Sequence, residues 1–291
     1  MSDDFYLNST LYYQQEISRK TPGCVLFLLD QSGSMEDGIA GSKRPKAEAL
    51  ASTINRFIGD LIAECLKGEP KPRHFFDVAV LGYRTDPTGR PLVGPAFQGP
   101  LEGRDLVSVI DLFDHPLREV VKEIDDGDGG LIKKRSYVWY DRVAEGGTPM
   151  VLGLERCAAI ARHWIGQHPH SFPPVVIHIT DGEPTDGDPE PAAEALRGLS
   201  TSDGCVLLFN CHLSDRTAPA VLFPAADGEL PDDYARLLFR MSSLLPDNCL
   251  GVARAKGFDL RPGARGMVFN GDGTAMIQLV HIGTVVKQAL R

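Results

Sequence analysis

No stretch of this chain approaches the run of roughly 18 apolar residues that a membrane-spanning helix needs. Positive charge is also in short supply. The 30 Lys and Arg stand against 39 Asp and Glu, a net charge of −9, which argues against a duplex nucleic-acid surface with its clustered Lys and Arg. Neither a nucleic-acid partner nor a membrane is therefore expected. No Cys-x-x-Cys pair occurs among Cys24, Cys65, Cys157, Cys205, Cys211 and Cys249. Several of them fall in apolar strand or helix patterns, which fits buried free thiols and a reducing compartment. The N-terminus, Met1-Ser2-Asp3-Asp4-Phe5, is acidic and has no apolar signal core. A cytoplasmic location is expected on both counts. The Gly-x-x-x-x-Gly-Lys-[Ser/Thr] loop that cradles phosphates is missing, which removes a P-loop NTPase reading. A Gly-x-Ser-x-Gly nucleophile elbow is missing too, since Gln31-Ser32-Gly33-Ser34-Met35 does not fit it.

Hydrophobic residues make up 43% of the sequence and charged residues 24%, so this is a folded-domain composition, long enough to bury a substantial core. Strand-like and helix-like stretches alternate, which predicts an α/β fold with a doubly wound, mostly parallel sheet flanked by helices. The most informative stretch runs from Gly23 to Met35. Its apolar part, Cys24 to Leu29, has no polar face, as expected of a parallel strand buried on both sides. Asp30 then falls at the strand's C-terminal end, where open α/β sheets place their ligands. Asp30, Ser32 and Ser34 alternate, so an extended backbone sends all three side chains to one side. One carboxylate and two hydroxyls make an oxygen-only site of the kind a hard divalent cation prefers. The same residues also suit a plain strand–turn–helix connection, Ser and Asp being turn and cap formers. Two later stretches favour the metal: Gly146-Gly147-Thr148-Pro149-Met150, just before a helix, and Val175 to Gly182, a second buried strand ending in Thr180-Asp181-Gly182.

Together these stretches resemble the metal-ion-dependent adhesion site of von Willebrand factor A (VWA) domains. The family pattern is Asp-x-Ser-x-Ser, a distant Thr, and an Asp after a hydrophobic strand. Asp30, Ser32, Ser34, Thr148 and Asp181 match all five positions, and the Gly-Thr-Pro and Thr-Asp-Gly contexts match as well. The likeness covers about residues 22–212 and the remainder only loosely. It implies a VWA/Rossmann-like fold with Ser32, Ser34 and Thr148 as direct hydroxyl ligands, and Asp30 and Asp181 binding directly or through water. The implied ion is Mg²⁺, with Mn²⁺ or Ca²⁺ as alternatives. The implied function is that of a non-enzymatic bacterial adaptor engaging an Asp or Glu of a protein partner through the metal. Intracellular proteins of this sort work beside MoxR-type AAA+ ATPases, or with protein kinases and phosphatases, in stress-response or phage-defence systems. Two alternatives stand beside this reading. A metal-dependent hydrolase or phosphatase is one, but a HAD-type phosphatase needs Asp-x-Asp and position 32 is Ser. An extracellular adhesion protein is the other, against which the free thiols weigh.

The expected organisation is an N-terminal extension over 1–21 and a single VWA domain over 22–291. Within it lie an elaborated loop region at about 86–145 and a C-terminal extension after about 212. Ala47 to Cys65 repeats at helical spacing and stops at Gly68-Glu69-Pro70. Phe75 to Arg84 reads as the second strand, Pro91 to Phe97 as an edge strand and Leu106 to Phe113 as a helix. Residues 114–145 read as the least regular part. Asp125 to Gly130 holds the acids and glycines of a calcium loop without the EF-hand spacing or its closing Glu, so it reads as a solvated turn. A helix from Pro149 to Ile165, one from Pro191 to Leu199 and one from Asp232 to Leu245 follow, with a buried strand at Gly204 to Cys211. Asn248 to Ala255 and Ala264 to Phe269 read as short edge segments, and Thr274 to Leu290 as a closing helix. His163, His168 and His170 invite a metal reading, but no acid accompanies them in register.

Overall fold

The computed structural model describes residues 13–39, 43–125, 131–214, 218–255, 257–258, 260–271 and 275. The first part of the N-terminal extension, the acidic run after Asp125 and the closing helix expected over 274–290 lie outside the described residues, apart from Ala275.

In chain order the elements are β1 (Gly23–Asp30), α1 (Lys46–Leu66), β2 (Phe76–Thr85), β3 (Pro91–Pro95), β4 (Val107–Ser108) and α2 (Val109–Asp114). Then come β5 (Arg118–Asp125), β6 (Leu131–Val138), α3 (Met150–Gln167), β7 (Val175–Thr180), α4 (Glu190–Arg197), β8 (Ser200–Thr201) and β9 (Gly204–Cys205). The last are β10 (Leu207–His212), β11 (Val221–Leu222), α5 (Asp233–Met241), α6 (Asp247–Ala255) and β12 (Met267–Phe269). The main sheet runs β11-β12-β10-β7-β1-β2-β3, with β4 also on β2. Its interior pairs, β12-β10-β7-β1-β2, are all parallel, and β3, β4 and β11 are antiparallel. This is the doubly wound α/β arrangement expected. Among the described residues no helix is long and apolar enough to cross a membrane.

The central position of β1 follows from its composition. All eight of its residues are buried, and alternate side chains go to opposite faces of the pleat. Val25, Phe27 and Leu29 enter one apolar layer with Leu50, Ile54, Phe57 and Ile58 of α1. Cys24, Leu26 and Leu28 enter the other, with Leu154, Cys157 and Ala161 of α3 and Ala193 and Leu196 of α4. A strand with a polar face could not occupy this place, because both of its sides are covered by helices.

On the outer side of β2, β3 begins and ends with proline. The Ala96 N–H points inward to the Val80 carbonyl at 2.8 Å. Backbone groups alternate in direction along a strand, so the nitrogens of Pro91, Val93 and Pro95 fall on the open side.

Two expectations are corrected. Residues 114–145 are more regular than they read, because β5 and β6 form an eight-pair antiparallel hairpin, from Arg118↔Val138 to Asp125↔Leu131, separate from the main sheet. Asn248 to Ala255 is helical, lying within α6, and its Cys249 packs into the α1 layer. The segment expected to complete an edge there contributes no strand. β12 does, but next to β10, with β11 beyond it. All six cysteines are free, five of them buried.

Candidate metal-binding site

β1 and β7 are neighbours in the sheet and run in parallel, with Leu29 opposite Ile179. Their C-terminal ends therefore deliver Asp30 and, one residue past β7, Asp181 to the same rim. The loop after β1 turns back in a short 3-10 segment, Gly33–Glu36, whose Met35 is buried as an anchor. That turn brings the two serine hydroxyls within 3.1 Å of each other. Ser34 Oγ then donates to Asp181 Oδ1 at 2.8 Å. Thr148 arrives from the loop before α3. A Cβ built on Gly182 would stand 3.8 Å from Ser34 Oγ and 3.9 Å from Thr148 Oγ1, so both hydroxyls face the same spot. All five residues read from the sequence are brought to one place at the sheet's C-terminal rim.

The loop carrying Thr148 is held by contacts that fix its path. The Gly146 carbonyl accepts the Gly33 N–H at 2.9 Å, and Gly146 adopts φ +69°, where a side chain is disfavoured. A Cβ there would also come within 2.1 Å of the Thr85 carbonyl oxygen, so only glycine fits. Thr85 Oγ1 accepts the Gly147 N–H at 2.7 Å, and Thr185 Oγ1 accepts the Thr148 N–H at 3.1 Å. Asp186 accepts the Val151 and Leu152 N–H groups at 3.1 and 3.0 Å, closing the N-terminus of α3 from a different loop.

Burial and charge set the electrostatics. Asp30 is fully buried; its Oδ1 accepts the Ser32 N–H at 2.8 Å and its Oδ2 accepts the Thr180 hydroxyl at 2.7 Å. Burial, and then the negative charge of Asp181, push its pKa up to about 6 against the lowering effect of those hydrogen bonds. Lys46, in the first turn of α1, reaches Asp181 Oδ2 at 2.8 Å. Both side chains of this pair are almost fully buried, at 4% and 0% exposure, unlike the other ion pairs of the described chain. Sequence reasoning missed Lys46. A signal was present: a lysine at a helix N-terminus opposes the helix dipole, and this one flanks the apolar stripe of α1. Thr180, Thr185 and Asp186 were likewise not assigned.

The three histidines of the α3 region go separate ways. His163 meets Gln167 at 3.2 Å, His168 lies against Trp164 with ring centres 4.7 Å apart, and His170 meets Ser202 at 3.2 Å. Among the described residues no group of three or more His, Cys, Asp or Glu gathers as a metal cluster.

No protein-family model matches the chain, and no curated protein matches it. Solved structures align with the chain at low identity. Proximal thread matrix protein 1 from the mussel byssus aligns with a TM-score of 0.45 and 12% identity, over 94% of this chain and 48% of that one. The pilus adhesin SpaC from Lactobacillus rhamnosus GG aligns with a TM-score of 0.44 and 14% identity, over 94% of this chain and 32% of that one. The chain thus spans less than half the length of either.

The donor set suits a hard cation: two carboxylates and three hydroxyls, all oxygen, with Ser34 exposed at the mouth. Burial first, and the charge of Asp181 second, raise Asp30, and a cation between the two acids would offset their repulsion. Asp30, Ser32, Ser34, Thr148 and Asp181 would hold such an ion.

Proposed function

We propose that the chain is a VWA-type protein-binding module whose Mg²⁺ site takes an Asp or Glu from a partner protein. The observation that carries this reading is the convergence of the five oxygen-bearing side chains, with Lys46 added to them. Two carboxylates against one ammonium leave the site one negative charge, and a divalent ion reverses its sign. Three of the ligands are neutral hydroxyls, so nothing in the site offsets the remaining positive charge. A bound ion supplies a Lewis-acidic centre that attracts an anionic oxygen. The protein's own part is to hold Ser32, Ser34 and Thr148 in place and to keep Asp30 shielded from water. The VWA resemblance extends the reading to a cytoplasmic adaptor of bacterial type, serving a MoxR-type AAA+ ATPase or a kinase or phosphatase system.

Calorimetry with Mg²⁺ and Mn²⁺ on wild type, Asp30→Ala and Thr148→Ala tests the site. Binding in the wild type, abolished by Asp30→Ala and weakened by Thr148→Ala in folded proteins, is the expected result. Unchanged affinity in both variants would remove the assignment.

A further inference from the structure

The β5–β6 hairpin supplies no ligand to the site, yet its base borders it. That base is locked in place. The Trp139 indole N–H donates to the Leu112 carbonyl at 2.7 Å, and the Asn55 side chain of α1 accepts the Trp139 and Tyr140 N–H groups at 2.8 and 3.1 Å. The Gln31 side-chain amide donates to the Tyr140 hydroxyl at 3.2 Å, and Arg142 pairs with Glu36 at 2.9 Å, so the base adjoins the loop carrying Ser32 and Ser34. Further out the ribbon is exposed. Glu119 stands opposite Tyr137 and Val121 opposite Arg135, so these four share one face. Val121 and Tyr137 are two of the four exposed large apolar side chains among the described residues, and here they are neighbours. Arg135 pairs with Glu119 at 3.4 Å but stays 71% exposed, and Lys133 is exposed on the same strand. The sequence of β6 holds Lys133, Lys134 and Arg135 and no acid, in a chain of net charge −9. Among the described residues β6 is hydrogen-bonded to β5 alone, so its other edge has no ladder.

We propose that β6 takes an extended acidic segment of the partner protein as a further strand. Laid alongside β6, such a segment gains main-chain hydrogen bonds on the open edge, and its side chains fall beside those of β6 in register. Acids next to Lys133 and Arg135 meet opposite charge, and an apolar residue next to Tyr137 covers a ring that is otherwise wet. Charge also decides against a second copy of this chain as the occupant. Two β6 strands set edge to edge bring lysine and arginine together, which is how edge strands repel their own kind. The same residues attract an acidic strand. That this segment belongs to the protein whose Asp or Glu reaches the ion rests on the metal reading; the preference of β6 for an acidic strand does not need the ion.

The experiment is an NMR titration of the full chain in EDTA with acetyl-Thr-Val-Thr-Glu-Glu-Glu-Val-Thr-amide. Its controls are the peptide with three lysines for the glutamates, a version with proline on either side of the glutamates, and a short oligothymidylate. The backbone amides of Lys133, Arg135 and Tyr137 are the reporters. Expected is a saturable shift of these amides with the glutamate peptide, about tenfold weaker or more with the proline version, and none with the lysine peptide or the oligonucleotide. Lys133→Glu combined with Arg135→Glu should weaken the glutamate peptide about tenfold or more. Both residues are exposed, so the fold should survive, which circular dichroism checks. No saturable shift on β6, an equal one with either control peptide, or unchanged affinity in the double variant would overturn the proposal. A shift with the oligonucleotide would overturn it in favour of nucleic acid, and concentration-dependent broadening of these amides without peptide would do so in favour of a second copy. Calorimetry with Mg²⁺ keeps the two readings apart. Peptide binding in a protein that takes up no Mg²⁺ would sink the metal reading and leave the strand standing, and Mg²⁺ uptake without a response on β6 would do the reverse.

Discussion

Lys46 lies where a cation is least welcome, at the positive end of a helix and away from water, and Asp181 is the compensation. Breaking a buried pair costs about 3–5 kcal/mol, because the remaining charge has nowhere to go. Asp181→Ala should therefore lower unfolding stability by about that much, and Asp30→Ala is the cleaner way to remove the ion. Lys46→Met should act in the opposite direction on the site, since it deletes a positive charge beside the bound cation. Mg²⁺ affinity should rise by about tenfold or more, ~1.4 kcal/mol, and calorimetry showing no gain would mean that the two cations do not sense each other. A second residue-scale expectation concerns His178, buried in β7. Its Nδ1 meets Asn210 Oδ1 at 2.8 Å and its Nε2 meets the Tyr83 hydroxyl at 2.8 Å. Asn210 Nδ2 donates to Ser242 Oγ, so its Oδ1 is the acceptor and Nδ1 carries the proton of a neutral ring. Burial holds the pKa down at about 4, against 6.5 when unfolded. The neutral ring therefore contributes fully above pH 6.5, and the contribution is lost as pH falls through about 4. Between pH 7.5 and 4.5 the stability gap between wild type and His178→Gln should shrink by about 2–3 kcal/mol in urea melts. A constant gap would contradict the buried neutral ring.

At the scale of elements, the N-terminus of α3 and the ligand loop before it form one unit, tied by Asp186. Asp186→Ala frees two N–H groups of the first turn and should cost about 1–2 kcal/mol, read as a lowered melting temperature. It should also weaken Mg²⁺ binding, because Thr148 sits two residues before α3; unaltered binding would show that the threonine is held by its other contacts. The elements that could be read from the sequence are those with strong burial. β1, β2, β7 and β10 are continuous apolar runs because helices cover both their faces, and α1 shows its stripe because one face is buried. The β5–β6 hairpin was illegible for the opposite reason. Among its described side chains Arg118, Glu119, Val121, Arg135 and Tyr137 are exposed, Val121 to 52%, so apolar and charged residues share the outer surface and display no clean period. The five site residues were legible because their spacing is local to strand ends. Lys46 was not, since its meaning depends on Asp181, which is 135 residues away.

For the whole molecule, the sharpest expectation concerns a partner bridged by the ion. Removing the bridge should cost on the order of 2–5 kcal/mol, a fall in affinity of roughly thirty- to several-thousand-fold. EDTA, Thr148→Ala and loss of the partner's acid should each do so, and combining two should add little, because they remove the same interaction. Equal affinity with and without Mg²⁺, measured on a partner recovered by pulldown, would make the ion structural and move the search to residues 86–145. A last consequence follows from the two prolines of β3. Val93 holds the one backbone N–H that strand presents outward, so a strand from another molecule would find a single donor where a growing ribbon needs several. At the opposite edge, β11 is two residues long. Among the described residues β3 and β11 thus offer few groups to a further strand, and concentrated stocks should stay clear on long storage. Replacing Pro91 and Pro95 by valine should restore the donors, and thioflavin-positive fibres should then appear first in that variant.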